Sequence, residues 1–213
     1  CSLTCGTTNF GDDVFLNPWP FMSALYVLAQ EREVVPEFEL FELGHVHALR
    51  RLLDTRGLPC GGRVHVDFVT GVPGGMPATT AALMAGVAML PAEVTSWSAT
   101  GIGRGHLPIA AAALSASGHL RVGMEDNLVF SRGRLVQHND ELVARAAGLD
   151  HVTPGEIVTC QVDLAMMHDS GGPRRVQPLL ERLGAEVWDP ERVVVVTDHY
   201  LPEHDDESRR IVR

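Results

Sequence analysis

Residues 119–127, HLRVGMEDN, set Arg121, Glu125 and Asp126 inside a short, mostly apolar stretch that reads as the end of a strand. A cation and two adjacent acids are costly in such a place unless they are paired or bind something. Arg121 alternates with Val122, so the two face opposite sides. Glu125 and Asp126 fall at the strand's C-terminal end, where a carboxylate could bind a metal, act as a base or cap the following helix. By spacing alone the capped, ion-paired strand end is favoured over a site. Glu37 and Glu39, in PEFELF, lie two apart and share one strand face. Acids turned into an apolar strand layer are unusual, so one of them is a candidate site residue; an edge strand facing water is the alternative.

Three other motifs carry less. His45 and His47, in GHVH, have a metal-like spacing but open a helix, where residues two apart diverge. They read as surface or helix-start histidines, with no metal assigned. GIGRG (101–105) lacks the GxGxxG spacing and the acidic residue of a dinucleotide site. Its glycines could let backbone amides approach an anion, with Arg104 adding charge, or could form a plain tight turn. Cys1, Cys5 and Cys60 have no His partner that favours a nucleophile over packing, and with Cys160 they show no CxxC spacing. Reduced thiols and a cytoplasmic location are the expectation.

These residues need elements to position them. From about 34 to 130 the chain repeats strand, Gly-containing loop and helix: VVPEFELFEL then HVHALRRLLDTRG, RVHVDFVTGVPGG then ATTAALMAGVAML, EVTSWSATGIG then HLPIAAAALSASG. This rhythm predicts an α/β fold with parallel strands, and in a barrel the loops after the strands form the active face. The opening CSLTCGTTNFGDDVFLN fits a strand end plus its loop, followed by a helix over roughly 18–31. Near 139–150 the character changes: NDELVARAAGLD reads as helix and turn, GEIVTCQVDLAMM as strand, RVQPLLERLGAEVW as helix and ERVVVVTDHY as strand. The predicted domains are therefore 1–147 and 148–213. The net charge of −10 argues against a nucleic-acid partner, and no apolar run is long enough to span a bilayer. A start at Cys1 rather than Met reads as a truncated or processed product.

Taken together, NFGDDVFLN (9–17), VVPEFELFELG (34–44), GVPGGM (71–76), GIGRGHLP (101–108), HLRVGMEDN and N-x-ELV (139–143) resemble the β-keto acid cleavage enzymes, the family of 3-keto-5-aminohexanoate cleavage enzyme. The resemblance implies part of a (β/α)8 TIM barrel, roughly strands 4–8. It also implies zinc and a Claisen-type exchange of a β-keto acid with acetyl-CoA, giving acetoacetate and a new acyl-CoA. Carried over, Glu125 matches the metal-ligand carboxylate, and Arg121 and Asp126 match the pair that deprotonates the keto acid. Glu39 matches a catalytic glutamate, and Ser2 stands where the family has a site threonine. The family's His-x-His metal ligands belong to a segment before the part matched by residue 1. The expected partners are therefore a complementing N-terminal half or a homo-oligomer, besides the two substrates.

Residues 144–213 resemble the N-terminal part of the 3-isopropylmalate dehydratase large subunit, of the aconitase superfamily, which points to an appended small α/β segment. That resemblance implies an active-site role for Asp198 and His199 and a place near substrate for His168–Gly172. No iron–sulfur cluster is expected, since the family's cluster cysteines come later in its chain; Cys160 reads as buried in mid-strand. Three functions are thus weighed: a β-keto acid cleavage enzyme incomplete in this chain, a non-catalytic fusion remnant or interaction module, and an aconitase-type hydro-lyase fragment.

Overall fold

Period-two alternation gives the central parallel strands of this protein an apolar side and a polar side, and the helices cover the apolar one. The computed structural model describes residues 1–150 and the strands Val158–Asp163 and Val195–Asp198. In chain order the elements begin β1 (Ser2–Thr4), β2 (Thr8–Phe10), β3 (Asp13–Phe15), α1 (Trp19–Glu31), β4 (Glu37–Leu40) and α2 (Leu43–Arg56). There follow β5 (His65–Thr70), α3 (Thr80–Met89), β6 (Ser96–Gly101), α4 (His106–Ser115) and β7 (His119–Val122). The described chain ends with β8 (Val129–Ser131), β9 (Arg134–Leu135), α5 (Asn139–Asp150), β10 (Val158–Asp163) and β11 (Val195–Asp198).

Local chemistry explains the helix starts. Pro20 stands in the first turn of α1, where its missing N–H costs nothing and its fixed φ suits a helix. Thr79 caps α3 by accepting a hydrogen bond from the Ala82 amide at 3.2 Å, and the helix stops ahead of Pro91. Asp140 and Glu141 place negative charge in the first turn of α5, at the positive end of its dipole.

The main sheet is parallel, in the order β1-β4-β5-β6-β7-β10-β11. That order follows the chain without reversal, unlike a doubly wound sheet, and agrees with the strand–helix rhythm of the sequence. β1 and β11 are its two ends among the described residues. Phe38, Leu40, Val66, Phe68 and Ala99 on the apolar face pack in one core with Met22 and Tyr26 of α1, Leu49 of α2, Leu83 of α3 and Ile109 of α4. Leu120 and Val122 of β7 continue this layer against Leu114 of α4 and Leu142 of α5.

Two features depart from the sequence reading. The stretch expected to be a loop after β1 holds an antiparallel hairpin, β2–β3, closed by Gly11 and Asp12. Gly11 has φ +66°, the left-handed conformation such a two-residue turn demands. A second short hairpin, β8–β9, follows β7 where a helix was anticipated. In the expected second segment, β10 and β11 are strands, as read, and they extend the main sheet beyond β7. The helix read at RVQPLLERLGAEVW lies outside the described residues.

Gly101, at the end of β6, has no space for a side chain. A Cβ there would stand 2.5 Å from the Gly105 carbonyl oxygen and 2.6 Å from its carbon, both backbone atoms. Gly101→Ala is expected to lower the unfolding free energy by about 1–3 kcal/mol through overpacking. Gly44→Ala, on α2 with nothing within 4 Å, should be neutral or slightly stabilising. Urea midpoints of the two variants check this.

Candidate functional site

The strand register assembles the site. Across β1, β4, β5 and β6 the pairs Ser2↔Glu37↔His65↔Ser96 and Thr4↔Glu39↔Asp67↔Ser98 put polar residues side by side on one face. Ser98 pairs with His119 of β7, so alternation sets Arg121 beside Thr100 on that same face. Glu37, Glu39, Asp67, Ser98, Thr100 and Arg121 are all buried. Charges this deep require partners.

Arg121 supplies them. Its Nη1 donates to Glu39 Oε1 at 2.7 Å and lies 3.6 Å from Asp67 Oδ2. Its Nε and Nη2 donate to the two oxygens of Asp126 at 3.3 and 3.1 Å, a two-pronged grip. Nη2 is also 4.0 Å from Glu125 Oε2. Burial would lower the arginine's pKa, but attraction to Asp126, Asp67 and Glu39 and the Asp126 hydrogen bond hold it well above its ordinary value. The guanidinium is therefore a fixed cation.

The expected residues come together in unequal degree. Arg121, Asp126 and Glu39 form one ion-paired cluster, and Glu125 lies at its edge with a side chain 29% exposed. Asp126 does not cap a helix: its amide donates to the Gly123 carbonyl in a turn, and β8 follows. Ser2 shares the face but stands opposite Glu37; Thr4, the next residue on that face, donates its hydroxyl to Glu39 Oε2 at 3.0 Å. Glu37 and Glu39 lie on an inner strand of the sheet, so the water-facing edge alternative is excluded. Asp198 of β11, two strands from β7, pairs in register with Asp163 of β10; His199 and residues 168–172 lie outside the described residues.

The sequence reading missed Thr4, His65, Asp67, Ser98 and Thr100. Period two in HVDFVT and SWSATG is the signal that could have found them. The GIGRG glycines form a tight turn whose Gly103 amide donates to the Asp126 carbonyl at 2.8 Å, bracing the site's turn. His45 is not a surface residue. It is buried at the start of α2, its Nδ1 accepting from the Phe41 amide and its Nε2 3.2 Å from the Thr7 carbonyl oxygen, while His47 is exposed. Burial lowers its pKa, so it serves as a neutral clamp on the loop after β1.

Zinc is not accommodated by the described residues alone. Among them no three His, Cys, Asp or Glu side chains are grouped so as to hold a metal. Glu39, Asp67 and Asp126 are drawn to Arg121, which leaves Glu125 the most open carboxylate of the cluster. One carboxylate does not make a zinc site.

A family model for beta-keto acid cleavage enzyme matches residues 1–167. The chain belongs to this family. It is 36% identical over 160 residues to the 3-keto-5-aminohexanoate cleavage enzyme of Fusobacterium nucleatum subsp. nucleatum, covering 74% of this chain and 57% of the relative. It is 36% identical over 151 residues to the 3-dehydrocarnitine:acetyl-CoA trimethylamine transferase of Rhizobium meliloti, covering 70% and 49%. The chain spans about half the length of these curated relatives of the beta-keto acid cleavage family. A separate stretch is 51% identical over 67 residues to the probable methanogen homoaconitase large subunit of Methanothermobacter thermautotrophicus, 30% of this chain and 16% of that protein. Among the described residues no helix is long and apolar enough to cross a membrane.

One buried acid of this beta-keto acid cleavage family member stands apart. Among the described residues, neither oxygen of Glu37 has a hydrogen-bond partner. Burial, then repulsion by Asp67, outweighs the pull of Arg121 and pushes its carboxyl from about 4.5 up to about 8. His65, 3.6 Å away, is pushed down to about 4, first by burial, so the pair is neutral at pH 7. Glu37 thus keeps a proton that it releases in the unfolded chain, so its own contribution to stability falls as pH climbs from about 4.5 through 8, while the lowered pKa of His65 offsets that fall below about 6.5. Glu37→Gln should remove this loss. Between about pH 5 and 8 the wild type should lose on the order of 1–3 kcal/mol more than the variant in urea unfolding; parallel pH curves would contradict it.

Proposed function

We propose that this chain contributes the Arg121–Asp126 half of an active site that exchanges a β-keto acid with acetyl-CoA, giving acetoacetate and a new acyl-CoA. The observation that carries the reading is the two-pronged contact of Arg121 with Asp126 at the C-terminal end of β7, in a chain of the beta-keto acid cleavage family. A carboxylate fixed by a permanent cation is a positioned base. In this reading Asp126 takes the proton from the keto acid, Arg121 orients Asp126, and Glu39 meets the substrate from β4, with Ser2 on the same wall. The relatives' printed activities, on 3-keto-5-aminohexanoate and on 3-dehydrocarnitine with acetyl-CoA, support the substrate class.

The wider assignments belong to the same proposal. The sheet is part of a (β/α)8 barrel, residues 1–147 carry the site, and 148–213 form an aconitase-type appendage in which Asp198 and His199 stand where that family meets substrate. Zinc would take Glu125 as one ligand and the remainder from polypeptide outside the described residues, supplied by a complementing N-terminal half or an oligomeric partner.

The test is acetoacetate formation from a β-keto acid and acetyl-CoA with zinc present. The chain is assayed alone and mixed with the N-terminal half of the Fusobacterium nucleatum relative. Activity is expected in the mixture, with Asp126→Asn lowering it by about 100-fold or more, the size of a lost general base. No acetoacetate in either arm contradicts the reading and favours a non-catalytic fusion product.

A further inference from the structure

Asp67 is fully buried and belongs to none of the roles assigned above, yet it touches the cation on which the site turns. Ser98 Oγ donates to its Oδ1 and Thr100 Oγ1 to its Oδ2, each at 2.6 Å. A serine hydroxyl has one proton to give. With that proton on Asp67, Ser98 must accept from His65 Nε2, 3.1 Å away. A neutral imidazole protonated at Nε2 has an acceptor at Nδ1, which the Ser96 hydroxyl fills at 2.8 Å. The hydrogen bonds therefore run in one direction, from Ser96 through His65 and Ser98 to Asp67. An ionised Glu37 would compete with Ser98 for the Nε2 proton, so the neutral acid beside His65 fits this direction.

The consequence reaches Arg121. Asp126 grips the guanidinium, but it sits only five residues further on, in a turn. Glu39 of β4 holds Nη1 at 2.7 Å, and Asp67 of β5 stands 3.6 Å from the same nitrogen as a second tie to the sheet. Asp67 is fixed by hydroxyls of the neighbouring strand at both oxygens and presents Oδ2 to the opposite side of the guanidinium from Asp126.

We propose that Asp67, locked by Ser98 and Thr100, is a positioning residue that pins the Arg121 guanidinium to the sheet and thereby fixes Asp126 at the end of β7. The functional meaning rests on Arg121 and Asp126 meeting substrate; the pinning itself does not, and its test needs no activity.

The experiment is 15N NMR of the arginine guanidinium groups in the full chain, with the Arg121 signals assigned by their loss in Arg121→Lys. Slow rotation about the Nε–Cζ bond is expected in the wild type. In Asp67→Asn that rotation should quicken by about tenfold or more, since a close charge partner in a buried site is lost. Ser98→Ala with Thr100→Val keeps the carboxylate but frees it, and should change the rate in the same direction by a smaller factor. Far-UV circular dichroism reports whether each variant folds. An unchanged Arg121 rotation rate in folded Asp67→Asn overturns the proposal; if that variant does not fold, an unchanged rate in the Ser98→Ala, Thr100→Val protein overturns it. Failure to form acetoacetate would sink the functional reading and leave this result standing.

Discussion

A single guanidinium joins three parts of the polar face: Glu39 from β4, Asp67 from β5 and Asp126 from the turn after β7. Each of these acids is buried, and each would be costly there without a cation. β6 lies between β5 and β7, and the hydroxyls of Ser98 and Thr100 complete the set by filling Asp67. The sheet's polar side is therefore a network with one central charge. Such a network is stable as a unit and fragile to loss of its centre. The geometry centres on Arg121, which is why the functional proposal is built around it and not around the more open Glu125.

The two faces of the sheet divide the labour. Phe38, Val66, Phe68 and Leu120 face the helices and supply apolar burial, while their neighbours Glu37, Glu39, Asp67 and Arg121 face the other way. Parallel strands buried on both sides commonly read as continuous apolar runs. Here every second residue of β4, β6 and β7, and of β5 as far as Asp67, is polar, so the interior of the sheet is an electrostatic device as well as a support. The Gly101 and Gly103 turn carries this into the loops, since its amide holds the Asp126 carbonyl.

How much of this the sequence disclosed varied with the physics. The helices α1–α4 and the strands β4–β7 were legible, because their periodicity and Gly- or Pro-marked ends are local. The β2–β3 hairpin was not, because Gly11-Asp12 lies between segments of three residues, too short for alternation to register. At the site, HLRVGMEDN announced Arg121 and Asp126 by their cost in an apolar strand. Asp67 stayed hidden in HVDFVT: nothing local distinguishes a polar face turned to water from one turned to an arginine two strands away. His45 stands at a helix start, one of the two alternatives read for it, but the surface alternative fails for a related reason, since its burial depends on the loop Cys5–Thr7 that folds back over it.

The central claim is that Arg121 compensates the buried acids, and unfolding of Arg121→Met at neutral and acid pH measures it most directly. The account predicts a loss of about 3–5 kcal/mol at pH 7, the cost of stranding buried charges. That loss should shrink markedly near pH 3, where protonation removes the charges that need a partner. A loss of the same size at both pH values, or a negligible one at pH 7, would contradict it.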